Sequence, residues 1–308
     1  MLDYRTRTFL TVYRTRSFTA AARELHITQP AVSQHIKYLE AHYGCMLFAK
    51  QGHSIEPTLQ AQALYPHLLA MANDEGKMME ELASLSSGEH AGAPLHLGCT
   101  RTVADYLAPR LIAGYLLNHP ARALTMKTGN TRDLLDDIAH GELDVALVEG
   151  SFDRTGYEHE ALSREDYIAV ATPALANSIH GIDDLLLHPL ILREPGSGTR
   201  EILEASLAAR NLRVDDFART YELESIPVIK ACVRAGIGVS FLYRIAVQDE
   251  LSKGTLVDVT PSDYTLQHDF NLVWQRGSIM AARYRALLAE WRTKLTSDTD
   301  FGLHFTRL

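Results

Sequence analysis

Gln29, Pro30, Ser33, Gln34 and Lys37 crowd into the run TQPAVSQHIKYLE, between Val32, Ile36 and Leu39. At 3.6 residues per turn the three aliphatic residues form one stripe, and the polar set falls on the opposite side. Those polar types suit a helix lying in the major groove of DNA. An amide pairs with adenine, a hydroxyl serves base or phosphate, and an ammonium suits phosphate or guanine. A merely solvated helix face would show the same alternation, so neighbouring elements must decide. A second constellation is Gly196-Ser197-Gly198-Thr199-Arg200. Its glycines allow a tight backbone with N–H groups aimed one way at a helix start, while hydroxyls and a guanidinium add donors for an anion. A plain capped turn is the alternative. No Gly-Lys-Ser/Thr follows, so it is not a Walker loop. Other strand ends carry Thr100-Arg101-Thr102, Asn130-Thr131 and Glu149.

Other signals fall away. Cys45, Cys99 and Cys232 are odd in number and far apart, which suits a reducing compartment rather than a disulfide framework. Cys99 reads as a small buried hydrophobe, since no cysteine at short spacing could make it a disulfide sensor. The histidines lack a Cys pair or an HExxH run, so no metal site is expected. GIGVS follows a helix and precedes a strand, the reverse of a dinucleotide fingerprint, and no Gly-x-Ser-x-Gly occurs. No catalytic residues and no enzyme are indicated.

The polar face of 29–37 needs a scaffold, and the sequence supplies one. Thr28 can cap the helix, with Pro30 in its first turn. Before it, SFTAAARELHIT offers a helix whose inward stripe is Ala21, Ala22 and Leu25, with Ile27 plugging the angle: a helix-turn-helix. Upstream, YRTRTFLTVYRTR gives a third helix contributing Phe9, Leu10, Val12 and Tyr13. Downstream, GCMLFAKQGHSIEPT reads as two short strands joined by Gln51-Gly52, a wing whose Lys50 and His53 could meet the DNA backbone or minor groove. Residues 1–60 hold seven Lys/Arg and four Asp/Glu, a net +3, which leaves −11 for the rest of a chain whose total is −8. A basic head on an acidic body fits a nucleic-acid module joined to something else.

Pro57-Thr58 opens a long helix in which Leu64, Leu68, Met71, Glu75, Met78, Leu82 and Leu85 alternate at spacings of four and three. That is a heptad seam for a helix pair, or the apolar face of a helix lying on its own domain. Pro66 should kink it or remove a backbone hydrogen bond, and Gly76 weakens it by ~1 kcal/mol relative to alanine. A dimer suits the function too, because two recognition helices one turn of DNA apart read a pseudo-palindrome. The organisation expected is a winged head at 1–58, a linker helix at 59–88, a hinge at 89–93 and a body at 94–308. In the body, strands such as PLHLGCT, ALTMKTG and LDVALVEG alternate with helices, REDYIAVATP is a further strand, and SIMAARYRALLAEWRTKLT closes the chain. Alternation implies an α/β sheet with right-handed crossovers, divided into subdomains at about 94–162 plus 268–300 and about 163–267 around a cleft. Ligands in such sheets bind outside the carboxyl ends of strands. The 308 residues suffice for two domains. No apolar stretch reaches the ~18 residues of a membrane span and no signal segment is visible, so a cytoplasmic protein is expected.

The run FLTVYRTRSFTAAARELHITQPAVSQHIKYLEAHYGCMLF closely resembles the winged helix-turn-helix of LysR-type transcriptional regulators, with TQPAVSQHIKYLE as that family's signature. The body resembles their effector domain. GNTRDLLDDIAHGELDVALVEG, LREPGSGTRE and IKACVRAGIGVSFL look most like the branch governing sulfur assimilation, sulfite response and carbon fixation. The resemblance implies a type II periplasmic-binding-protein-like body. It implies duplex DNA and RNA polymerase as partners, a dimer or tetramer, no membrane, and no cofactor beyond a small, anionic effector: a sulfur oxyanion, phosphate or small carboxylate. It assigns DNA contact to Thr28, Gln29, Pro30, Ser33, Gln34 and Lys37. Lys50 and His53 stand where the family's wing usually has arginine. It assigns the effector to Thr100, Thr102, Asn130, Glu149, Ser197, Thr199, Arg200 and Ser225, with Arg101, Thr131, Gly196 and Gly198 beside them. Two other readings stay open on the residues alone. One is a small-molecule-binding α/β protein or enzyme whose head mediates protein association; the other is a DNA-binding protein with a vestigial cleft.

Overall fold

The computed structural model describes residues 3–51, 54–86, 93–150 and 152–297; His53 and hinge positions 89–92 lie outside the described residues. In the head, local chemistry sets the helix ends. Asp3, Ser17 and Thr28 sit in extended backbone, and each accepts a hydrogen bond from a first-turn N–H. They open α1 (Tyr4–Thr15), α2 (Phe18–Glu24) and α3 (Gln29–Tyr43). Gly44, at φ +68°, ends α3. Phe9, Val12, Ala21, Ala22, Val32, Ile36 and Leu39 bury together, with Leu10, Tyr13 and Ile27 packed against them. Glu40 accepts from the Leu47 N–H at 2.9 Å, tying α3 to the hairpin of β1 (Phe48–Gln51) and β2 (Ser54–Pro57). Gln51 pairs with Ser54, so it belongs to the strand and not, as expected, to the turn. Burial of Phe48 and Ile55 in the head core fixes that register.

Helix α4 (Leu59–Ser86) runs unbroken through Pro66. Its expected seam divides. Leu68 is buried in the head core and Leu64 packs on it, beside Tyr65, which stacks on Tyr13 at 3.8 Å. Met71, Met78, Leu82 and Leu85 are exposed. The reading of a helix lying on its own domain thus holds for the stretch around Leu64 and Leu68. Farther along, α4 lies on the body. Asn73 donates to Ala139 O (3.0 Å) and Gln275 Oε1 (2.8 Å), and Asp74 accepts from Ser278 Oγ (2.6 Å) and Ile279 N (2.9 Å). Lys77 Nζ reaches Tyr284 Oη (2.9 Å) and Asp144 Oδ1 (3.2 Å).

The body begins with parallel βαβ units. β3 (Leu95–Cys99) leads through a π-helical turn at Val103–Leu107 into α5 (Ala108–Asn118), β4 (Leu124–Thr128), α6 (Thr131–Ala139) and β5 (Val145–Val148). β4 and β5 flank β3. The chain continues through β6 (Tyr157–Ala171), α7 (Pro173–Ala176), α8 (Ile182–Leu186), β7 (Pro189–Leu192), α9 (Gly198–Ala208) and β8 (Arg219–Glu222). Then follow α10 (Ile226–Arg234), β9 (Ser240–Tyr243), α11 (Arg244–Ser252), β10 (Val257–Asp258), β11 (Gln267–Gln275) and α12 (Ala281–Ser297). β6 joins the two halves. It pairs antiparallel with β11 over Tyr157–Asp166, then with β9 over Tyr167–Val170 and with β10 at its end. β11 returns against β5, and β7 pairs parallel with β8 and touches Val239. The curled sheet thus forms two α/β halves around a cleft, the type II binding-protein architecture.

β6 starts at Tyr157, earlier than the Arg164 that its apolar run suggested. Glu158 and Glu160 hid the strand, because charge pairs rather than apolar core cover that face: Arg285 of α12 binds both, at 2.8 and 2.9 Å. α11 also escaped the sequence reading, because its buried Ile245, Ala246 and Val247 are consecutive and give way to Gln248, Asp249 and Glu250, which shows no helical period. Among the described residues no helix is long and apolar enough to cross a membrane.

Candidate DNA-reading helix and effector cleft

On α3, Gln29, Pro30, Gln34 and Lys37 are exposed and Ser33 is half-buried, opposite the buried Val32, Ile36 and Leu39. The exposed Thr28 accepts from Ala31 N at 3.4 Å and sits at the positive end of the helix dipole, where phosphate is favoured. α1 braces this helix. The Arg5 guanidinium lies 3.7 Å from the Tyr38 ring centroid, and Thr8 Oγ1 is 2.9 Å from His35 Nδ1. Neither Arg5 nor Tyr38 was legible as a pair, because no periodicity links positions on separate helices. Lys50 lies in β1.

In the cleft, Thr100, Thr102, Glu149 and Thr199 come together from β3, the π turn, β5 and α9. Glu149, only 2% exposed, accepts from Thr100 Oγ1 (2.7 Å) on Oε2, and from Thr102 Oγ1 (2.9 Å) and Thr199 Oγ1 (3.4 Å) on Oε1. Thr131 Oγ1 donates to the Glu149 carbonyl at 3.4 Å. Gly198 presses on the same carbonyl: a Cβ there would lie 3.2 Å from it. Burial pushes the Glu149 carboxyl pKa up, against the opposing pull of the hydroxyl bonds and the charge of Arg193. A pocket of about 330 Å³ lies against the α6 and α9 starts, lined by Thr131, Arg132, Asp136, Asp153, Gly198 and Glu201 among others. It reaches the cluster only through Thr131 and Gly198, the two residues that touch the Glu149 carbonyl.

The remaining candidates make no bond to the Glu149 carboxylate among the described residues. Ser197 caps α9, accepting from Arg200 N at 3.2 Å, and Gly196 supplies the left-handed turn before it at φ +83°. Arg200 does not enter the cluster. Its guanidinium binds Glu204 (2.7 Å), Glu222 (2.9 Å) and the Arg193 carbonyl (3.2 Å). Arg101 lies 3.8 Å from Glu224. Asn130 and Ser225 hold the N-cap positions of α6 and α10 without a side-chain cap bond.

Two residues near the cluster were missed. Arg193, 4% exposed, is held by Glu194 at 2.7 and 2.8 Å, and the buried Tyr243 hydroxyl has no hydrogen-bond partner among the described residues. Residue type alone does not distinguish a buried arginine from an exposed one, and Tyr243 simply continues an apolar strand. Cys99 is fully buried in the main core, and burial pushes its thiol up to about 12, so it stays protonated near neutral pH. No metal-ligating cluster occurs among the described residues.

Two family models match this chain: the bacterial regulatory helix-turn-helix protein of the lysR family over residues 5–62, and the LysR substrate binding domain over residues 88–296. The chain belongs to the LysR family. It is a DNA-binding transcriptional regulator with an effector-binding domain, not an enzyme. The uncharacterized HTH-type transcriptional regulator YeiE of Escherichia coli K12 is 30% identical over 76% of this chain and 78% of its own length. The HTH-type transcriptional regulator CbbR of Rhodospirillum rubrum is 32% identical over 86% of this chain and 87% of its own. Full-length LysG from Corynebacterium glutamicum, solved with bound effector Arg, shares the fold of this LysR-type regulator with a TM-score of 0.67 at 19% identity, covering 96% of this chain and 99% of that one.

Proposed function

We propose that this LysR-type regulator reads promoter DNA through α3 and the wing, and that a small metabolite in the cleft switches it. The observation that carries the first half is the outward set Gln29, Pro30, Gln34 and Lys37 on a helix whose other face is buried. Thr28 and Ser33 complete that surface, and Lys50 and His53 of the wing are assigned to the DNA backbone. The working units are a head at 1–58, a linker helix at 59–88, a hinge at 89–93 and a body at 94–308. Dimerisation is assigned to the exposed Met71, Met78, Leu82 and Leu85 of α4, with a tetramer as a pair of such dimers. Duplex DNA and RNA polymerase are the partners, and the cytoplasm is where they are met.

The effector site is assigned to Thr100, Thr102, Thr131, Glu149, Ser197 and Thr199. An anionic effector has the family resemblance and the start of α9 in its favour. Against it, the threonine hydroxyls and Arg200 are engaged by carboxylates of the chain itself. Switching is a population shift. The ligand closes the cleft, one half of the body moves against the other, and the heads grip DNA with a different spacing or bend. It can do this only by binding the two arrangements unequally.

A salt titration of duplex binding by the full chain tests the reading. Six to ten phosphate contacts imply a fall of about 10³–10⁵ in affinity between 50 and 200 mM salt. A flat response, or no binding in dilute buffer, would overturn it.

A further inference from the structure

We infer that the cleft of this regulator selects an effector bearing a protonated nitrogen, an ammonium or guanidinium group, with the Glu149 carboxylate as its counter-ion. The inference rests on the reading of the cleft as the effector site. A carboxylate offers about four acceptor positions, and a threonine hydroxyl has one proton to give. The single protons of Thr100, Thr102 and Thr199 are all spent on Glu149. None is left for a ligand anion, which would also face a buried negative charge. The nearby arginines are committed as well, Arg193 to Glu194, and Arg200 to Glu204 and Glu222.

Glu149 itself has no ion-pair partner at contact distance: the Arg193 charge acts on it, but that guanidinium is bound by Glu194. Two other buried acids in the body have one, Asp144 with Lys77 at 3.2 Å and Glu250 with Lys230 at 2.9 Å, whereas Glu165 shares the condition of Glu149. Among the described residues no lysine, arginine or histidine makes an ion pair with Glu149. A buried charge in that condition is costly unless something neutralises it. Its fourth acceptor position remains for one more donor. A second group points the same way. The Tyr243 hydroxyl, buried and unpartnered, lies close enough to Glu149 for that charge to raise its own pKa. It can accept from a ligand N–H or donate to a ligand oxygen. The pocket of about 330 Å³ is walled by Thr131 and Gly198, which touch the Glu149 carbonyl. Its lining carries Asp136, Asp153 and Glu201, acids that favour a cation, while the Glu149 carboxylate, Thr100, Thr102, Thr199 and Tyr243 lie outside that lining. That volume suits a small molecule.

The test uses the full chain in thermal-shift and calorimetric titrations with putrescine, L-arginine, sulfate and phosphate. Putrescine or L-arginine should stabilise the wild type, and sulfate and phosphate should not. Glu149→Gln, which keeps the shape and removes the charge, should weaken cation binding on the order of 10–100-fold. Glu149→Thr should gain affinity for sulfate, since three hydroxyl protons become free. Affinity for putrescine should rise with pH as Glu149 gives up its proton. Stabilisation of the wild type by sulfate or phosphate, equal cation binding by Glu149→Gln, or no response of the wild type to either cation would each overturn the inference. In the last case a proton, not a ligand, neutralises Glu149. A salt titration of duplex binding on the same preparation, without added ligand, keeps the two claims apart. Intact DNA binding with failed cation binding sinks only the effector class.

Discussion

Gln34 illustrates how much can rest on one side chain. It is exposed one turn into α3, and an amide there discriminates bases only by pairing with them. Gln34→Ala should therefore cost roughly 1–3 kcal/mol of preference for a selected operator over random duplex, read by competition binding. An unchanged preference would remove it from base reading. Glu165 makes a different prediction. It is buried beside Ser163, whose hydroxyl donates to it at 2.8 Å, yet burial and the neighbouring Asp166 charge raise its pKa from 4.5 to about 7. The folded state thus favours the protonated form. That contribution to stability is fully present below pH 4.5 and is lost as pH rises through about 7. Wild type should lose roughly 2–3 kcal/mol relative to Glu165→Gln between those limits, measured by urea unfolding at each pH. Parallel pH curves for the two proteins would contradict this.

At the scale of elements, α4 is the part whose neighbours matter most. Its middle is fixed to the body by buried polar groups, with Asp74 5% and Lys77 7% exposed. Lys77→Met should strand Asp144 and cost about 3–5 kcal/mol, because the partner charge stays buried. Adding Asp144→Asn should recover a large part of that loss, and failure to recover it would assign the cost to packing of the lysine stem instead. The same contacts carry a mechanical consequence. Asn73, Asp74 and Lys77 grip β11, α12 and the segment before β5, so movement of that half of the body is felt directly by the linker helix.

For the molecule as a whole, the exposed stripe of α4 and the charge asymmetry set behaviour. Met78, Leu82 and Leu85 offer apolar surface that a single chain leaves in water. The double substitution Leu82→Glu with Leu85→Glu should shift the protein toward monomer in sedimentation velocity and weaken its binding to paired half-sites more than to one. An unchanged sedimentation coefficient would move the dimer interface elsewhere. The net +3 of residues 1–60 against −11 for the remainder keeps the body from competing for phosphate, so duplex should engage the head alone.

Local patterns by themselves determined the winged head, the long helix after it and the alternating body. Caps such as Thr28, the period of Val32, Ile36 and Leu39, and strands such as Val145–Val148 act over a few residues and are written in order along the chain. The polar start of β6 was hidden because its partners, Arg285 and the strand β11, lie far away in sequence. Tertiary structure alone decided the character of the cleft. Thr100, Thr102, Glu149 and Thr199 were each visible, but not that the carboxylate would consume the three hydroxyls, or that Arg200 would turn to Glu204 and Glu222. Charge compensation depends on distances across strand ends and on exclusion of water, and neither is a property of a local run of residues.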